Sequence, residues 1–372
     1  LAWVCDRDAA SEARALRLPA SVRRTRDWQD AVRDPAVDVV VELFGGFDEP
    51  RRLCLAALSA GKAVVTANKL LLARRWVELT GAAARRGVPL HFEAAVAGAV
   101  PIIRSLRAGL AADRVESVHG ILNGTTNYIL GEMAHHGTTL ADAVREAQRL
   151  GFAERDPSQD LDGTDAAYKV SVLGSLLAGR WLPPERVSRE GIGGVAPGDI
   201  SWAVRELKRT ARLVGAVVVR SRGAVPELEA HVRPTLVPLL HPLAGVHGGH
   251  NALLVRAASA GELMFYGPGA GAAPTASAVL ADVLSACQER LSGQGTPAPA
   301  AGGPCRAAPE TPAPYYLRFQ VRDVPGALGR IASVLGRLGV SIARVHQDDP
   351  PGGGRPVAVR IVTHRAERAV IE

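Results

Sequence analysis

Lysine is nearly missing from this chain: of 44 basic residues only four are lysine (Lys62, Lys69, Lys169 and Lys208) and 40 are arginine. Asparagine is equally scarce, at Asn68, Asn123, Asn127 and Asn251. Aromatic residues make up 4% of the chain, and no dense Lys/Arg block accompanies the net charge of +7. Neither a stacking platform nor a basic stripe for nucleic acid is therefore present. No apolar run approaches the roughly 18 residues of a membrane span. The four cysteines (Cys5, Cys54, Cys287 and Cys305) lie far apart, without CxxC or Cys/His ligand spacing. That pattern points to reduced thiols and a cytoplasmic location.

What is present is ordinary globular composition, 47% hydrophobic and 22% charged over 372 residues, enough for two or three domains. Strand and helix signals alternate through the first hundred residues. WVCD, VDVVVELFGG (37–46), KAVVTAN (62–68) and VPLHFEAAVAG (88–98) read as strands, with amphipathic helices at 48–61 and after Lys69. Apolar strands between helices predict a parallel sheet covered on both faces, with ligands at the strands' carboxyl ends. Those ends read ELFGG, TANK and FEAAVAG, which places Gly45 and Lys69 beside a cofactor. Residues 99–264 mix helices and strands and read as an α+β substrate-binding and dimerisation domain. A glycine turn and helix at 266–287 return to the first domain, so 265–291 complete the nucleotide-binding domain of 1–98. The Pro/Ala/Gly-rich 292–314 reads as a linker, and 315–372 as a partial, compact βαβ-type domain.

The scarce residues carry the chemistry. Asp165 and Lys169 stand i and i+4 on one helix face, and the helix by itself does not separate a surface pair from a functional one. Composition favours function, because arginine serves a surface pair equally well, whereas only lysine releases and regains a proton. The same reasoning singles out Lys69; Lys62 and Lys208 read as solvated. Glu154 and Asp165 supply carboxylates around a turn rich in Asp and Gly. DPSQDLDG lacks the ligand spacing of a calcium loop.

A GxGxxG phosphate loop does not occur before the second strand, and the expectation is that the first strand and its loop lie upstream of Leu1. Asp6 and Arg7 then fall where the ribose is read: an acid there favours NAD, an arginine NADP. CDRD offers both, which leaves the choice open with NADP ahead.

In order, VVELFGG, AGKAVVTANKLLLA, FEAAVAGAVPIIRSL, GILNGTTNYIL, EAQRLGFAERDPSQDLDGTDAAYKV and GPGAGAAPTASAV resemble homoserine dehydrogenase over about residues 1–291. YYLRFQVRDVPGALGRIASVLGRLGVSI resembles an ACT domain, an amino-acid-sensing module of βαββαβ pattern. The resemblance implies a Rossmann-type sheet and reduction of aspartate 4-semialdehyde to homoserine with NADP(H) or NAD(H), on the route to threonine, methionine and isoleucine. It implies Lys169 as acid/base, Lys69 as a second active-site lysine against the nicotinamide, and Glu154 and Asp165 on the substrate's amino and hydroxyl groups. Gly151 and Gly271 match cofactor-contacting glycines. Glu93, with the carbonyls of Val96, Gly98 and Val100, matches a sodium site. A homodimer or homotetramer and an amino-acid effector at the ACT domain follow from the same likeness.

GILNGTTNYIL is then a strand, a turn in which Gly124 permits the bend, and a helix. Asn123, Thr125, Thr126 and Asn127 offer uncharged groups to a small polar substrate; Asn127 is also a candidate helix cap. Two rival readings are a dehydrogenase of a related semialdehyde and a non-catalytic amino-acid-responsive protein. The Lys69/Glu154/Asp165/Lys169 set favours the enzyme.

Overall fold

The computed structural model describes residues 1–6, 18–221, 223, 225–293, 298–348 and 356–372. Arg7 therefore lies outside the described residues. Two compact units emerge, Leu1–Ala307 and Ala308–Glu372.

The first unit opens with the parallel pair β1 (Trp3–Cys5) and β2 (Arg23–Thr25). A parallel sheet follows, β3 (Val39–Glu42), β4 (Ala63–Thr66) and β5 (Leu90–His91), in the order β3-β4-β5. β4 is buried at all four residues, as a central strand covered on both faces should be. The helix Asp48–Ser59 buries Leu53, Cys54, Ala57 and Leu58, and the helix Lys69–Arg86 buries Leu71, Leu72, Trp76 and Leu79. The helix Ala272–Ser292 returns to this sheet, where Val279 and Ala286 pack with Ala63 and Val65. The strand expected over 88–98 stops at His91. Beyond it the Glu93 N–H donates to Asp282 Oδ2 at 2.7 Å, so side-chain partners replace the ladder and the backbone turns.

The rest of the unit is built on a second, mainly antiparallel sheet. Its strands are β6 (Val115–Ile121), β7 (Ser188–Arg189), β8 (Arg209–Ser221), β9 (Glu227–Pro238), β10 (His250–Ala257), β11 (Gly261–Pro268) and β12 (Arg306–Ala307). The order is β11-β10-β6-β8-β9-β12, with β7 also on β9. The helix Thr164–Ala178 buries Val170, Val172 and Leu173, and Val170 closes on Gly215 of β8.

Part of the expected linker is bound to this unit. Trp76 Nε1 donates to Ala300 O at 3.1 Å, and Trp181 N donates to Gly302 O at 3.1 Å. Cys305 is fully buried and its N–H donates to Trp181 O at 2.8 Å. Cys305 joins the core and Ala298 packs against it, while the carbonyls of this small-residue segment remain acceptors that an indole and a backbone N–H of the folded unit engage. Lys62 is likewise not solvated: it is buried, and its ammonium donates to Asp34 O at 2.7 Å and Val37 O at 2.5 Å. Lys208 is exposed, at the C-cap of a short helical turn.

The second unit pairs β13 (Ala313–Val321), β14 (Ile342–Gln347) and β15 (Val357–Ala366) antiparallel in the order β13-β15-β14. With the helix Ala327–Arg337 it encloses Leu335, Val340, Val359 and Ile361. Among the described residues no helix is long and apolar enough to cross a membrane.

Candidate active site

β6 runs into the ILNGTT turn. Asn123 caps the helix Gly124–His136, its Oδ1 accepting from Thr126 N–H at 2.8 Å and from the Thr126 hydroxyl at 2.8 Å. The cap is therefore Asn123 rather than Asn127, because the helix starts directly at Gly124. Asn127 is buried a turn later, and its Nδ2 donates to Val246 O at 3.2 Å and Gly248 O at 2.9 Å, bracing that loop. Gly124 does not serve a bend either, since it is already helical; a Cβ there would lie 2.4 Å from Gly249 O. Thr126 is fully buried with its hydroxyl turned into the cap, which removes it from the substrate-facing set. Thr125 stays partly exposed and donates to Phe152 O at 2.6 Å.

Helical spacing brings Asp165 and Lys169 together as read, and the pair is buried. The Lys169 ammonium donates to Asp165 Oδ2 at 2.7 Å and to Leu122 O, just past β6, at 2.7 Å. Lys69 comes from the other half of the unit. It begins the helix Lys69–Arg86, whose cap is Asn68, with Oδ1 accepting from Leu71 N–H at 3.0 Å. From there Lys69 Nζ reaches Asp165 Oδ1 at 2.9 Å. One carboxylate thus bridges both lysines.

Asn123 holds that carboxylate from the third side, its Nδ2 donating to Asp165 Oδ2 at 2.9 Å and to Asp160 Oδ1 at 2.6 Å. Burial pushes the Asp165 carboxyl up, but the Lys169 and Lys69 charges and its hydrogen bonds outweigh that and hold it well below the carboxylate range. Burial also lowers Lys69, yet the charge and hydrogen bond of Asp165 leave it raised above an ordinary lysine. Asp160 is raised, first by burial and then by its neighbour Asp165, with Asn123 opposing. Asp160 escaped the sequence reading, although DPSQDLDG contains it.

The remaining candidates fall around this core. Glu154 is exposed, close enough to act electrostatically on Lys69, and its backbone carbonyl accepts from Gln148 Nε2 at 3.2 Å. Gly151 ends the helix Leu140–Arg149 at φ 79°, and Gly271 opens the helix Ala272–Ser292 at φ 114°. Gly45 lies in the loop after β3, where the neighbouring Gly46 O accepts from Asn68 Nδ2 at 3.0 Å. Behind that loop Glu42, fully buried, accepts from the Thr66 hydroxyl at 2.5 Å, and burial raises its carboxyl. Lys69, Gly45 and Gly271 thus sit at strand ends and helix starts, where a nicotinamide cofactor fits this fold.

Glu93 is buried, and its two oxygens accept from Ile103 N–H and Arg104 N–H, both at 2.8 Å. Burial pushes its carboxyl up to about 7, with Asp282 adding to the rise. Arg104, which pairs with Asp282 at 3.4 Å, opposes that rise, and each carboxylate oxygen of Glu93 keeps a further lone pair. In the adjoining loop, which carries Val96, Gly98 and Val100, Ala97 and Gly98 take φ 60° and 56°, and the Val100 carbonyl accepts from Ile102 N–H at 2.8 Å. Two carboxylates, Glu93 and Asp282, therefore stand beside this loop, where the sequence by itself points to Glu93 alone.

A family profile described as "Homoserine dehydrogenase" matches residues 101–284, and one described as "Homoserine dehydrogenase, NAD binding domain" matches 1–93. An ACT domain profile matches 315–372. The chain is 43% identical over 345 residues to a homoserine dehydrogenase of Corynebacterium glutamicum, covering 92% of this chain and 77% of that one. A solved homoserine dehydrogenase from Thiobacillus denitrificans superposes with a TM-score of 0.89 at 36% identity, over 99% of this chain and 84% of that one. A hyperthermophilic archaeal homoserine dehydrogenase in complex with NADPH gives 0.63 at 31% identity, over 76% and 82%.

Proposed function

The chain belongs to the homoserine dehydrogenase family, an NAD(P)-dependent oxidoreductase interconverting homoserine and aspartate 4-semialdehyde, and we propose that Lys169 is its proton donor and acceptor. The observation that carries this is the use of the Lys169 ammonium. Two of its three N–H groups are engaged by Leu122 O and Asp165 Oδ2, which leaves one for a substrate oxygen. A nicotinamide held beside Lys69, Gly45 and Gly271 would supply the hydride to the aldehyde carbon. Lys169 gives a proton to the oxygen as it becomes an alkoxide, and the lysine recovers its proton from solvent. In the reverse direction neutral Lys169 accepts the hydroxyl proton.

Asp165 holds both ammonium groups in register, so its part in binding the substrate hydroxyl runs through the lysines. Glu154 and Asp160 present carboxylates to the substrate ammonium group, with Thr125 at the rim and Asn123 steadying Asp160. Lys69, Gly45, Gly151 and Gly271 border the cofactor, and NADP(H) is the preferred form, a choice supported by Arg7 in the sequence and by the relative solved with NADPH. Glu93 with the Val96, Gly98 and Val100 carbonyls holds sodium, which stiffens the loop between the two halves of the unit. The nucleotide-binding part comprises 1–98 with 265–291, the substrate part 99–264, and the ACT domain carries an amino-acid effector site. The enzyme works in the cytoplasm as a homodimer or homotetramer.

Lys169→Arg tests the central role, because it keeps the charge and removes the titratable proton. The expected result is a loss of about 10² or more in kcat with NADPH binding, followed by fluorescence, retained. Turnover above about a tenth of wild type would refute the assignment.

A further inference from the structure

We propose that Asn251 is a positioning residue for this reaction, acting through the Leu122 carbonyl on Lys169; the proposal rests on the role given to Lys169 above. Asn251 lies on β10, buried to 1% exposure and opposite Gly267 of β11. Its Nδ2 donates to Leu122 O at 3.1 Å, and the same oxygen receives the Lys169 ammonium at 2.7 Å. The Leu122 carbonyl is thus held by two donors on its two lone pairs. One donor fixes its direction, and that direction aims the other. Among the described residues the pairing of β6 ends at Ile121 with β10 and at Gly120 with β8, short of Leu122.

The other half of the amide makes the placement informative. Among the described residues Asn251 Oδ1 is buried without a hydrogen-bond partner. A buried acceptor left unpaired costs stability, and an apolar side chain of similar size avoids that cost. The amide also faces Gly269, where a Cβ would fall 2.1 Å from Asn251 Cγ, and Gly269 in turn closes on Gly98. Asn251 therefore touches both the glycine loop that opens the helix Ala272–Ser292 and the carbonyl that aims Lys169. A side chain kept for packing alone needs no donor here. A side chain that sets the ammonium's direction needs only Nδ2.

The test uses the full chain with Asn251→Leu, alone and in the Lys169→Arg background. Alone, it should lower kcat about tenfold or more, as expected when a reacting group is misdirected. KM for homoserine and for NADP(H) should stay within about threefold, and Tm should hold or rise. In the Lys169→Arg background the same change should leave residual turnover within about twofold, because the group it aims is gone. A kcat within about threefold of wild type, a matching loss in both backgrounds, or a fall in Tm with unchanged kcat overturns the proposal. If Asn251→Leu does not fold, Asn251→Ser, which also removes Nδ2 and is smaller, carries the same comparison. Substantial turnover by Lys169→Arg alone would instead defeat the reading of Lys169, separately from Asn251.

Discussion

Asp165→Asn should be among the most destabilising single changes in the first unit, and its effect should follow a definite pH course. The carboxylate bridges Lys169 at 2.7 Å and Lys69 at 2.9 Å. The two arms are unequal. Lys69 keeps 39% of its side chain exposed, so solvent screens that arm to about 0–1 kcal/mol. The Lys169–Asp165 pair is only 11% and 10% exposed, and removing one partner of a buried pair costs roughly 3–5 kcal/mol. At about 2 °C per kcal/mol for a unit of this size, Tm at pH 7 should fall by roughly 6–10 °C. The folded-state pKa of Asp165 is depressed, whereas unfolded aspartate titrates near about 3.9. Its stabilisation is therefore present above about pH 4 and lost as pH falls through the folded value. Differential scanning calorimetry of wild type and variant from acid to neutral pH should show a constant gap that narrows only below about pH 4. A gap under about 2 °C at pH 7, or one that widens on acidification, would refute the reasoning.

Other perturbations follow from the same contacts. Gly124→Ala should cost about 1–3 kcal/mol, since its Cβ would lie 2.4 Å from backbone Gly249 O and neither chain segment yields easily. Gly131→Ala in the same helix meets nothing within 4 Å and should be neutral or stabilising by about 0.5–1 kcal/mol. Equal melting temperatures for the two variants would count against the close approach. Deleting 308–372 should leave a folded, active dehydrogenase that has lost any effector response. Deleting 298–372 should melt lower, because Cys305 and the Ala300 and Gly302 carbonyls go with it; identical melts would show that this segment contributes nothing. Glu93→Ala should abolish activation by sodium or potassium chloride at fixed ionic strength, with a bulky organic cation as control. Retained alkali dependence would remove Glu93 from the cation site.

Much of this protein was legible in its residues. The apolar strands VDVVVE and AVVT and the helix stripes place a parallel sheet, because burial on both faces leaves a period that any packing must honour. The i, i+4 spacing alone joins Asp165 to Lys169. Scarcity marked which polar residues to watch: two of four lysines meet at Asp165, and all four asparagines hold backbone or caps. Only the tertiary structure decided what those residues touch. Lys69 and Lys169 are a hundred positions apart, and no local pattern records that one carboxylate bridges them. Asp160 joined the site through Asn123, and Asn251 through a carbonyl 129 residues away. Gly124 reads as a turn residue, yet it is required by the neighbouring Gly249 backbone. The segment 298–307 reads as a tether because its side chains are small, and it is held through carbonyls that every sequence possesses. Periodicity and composition determine which faces are buried; which backbone oxygen meets which donor is set when the elements pack.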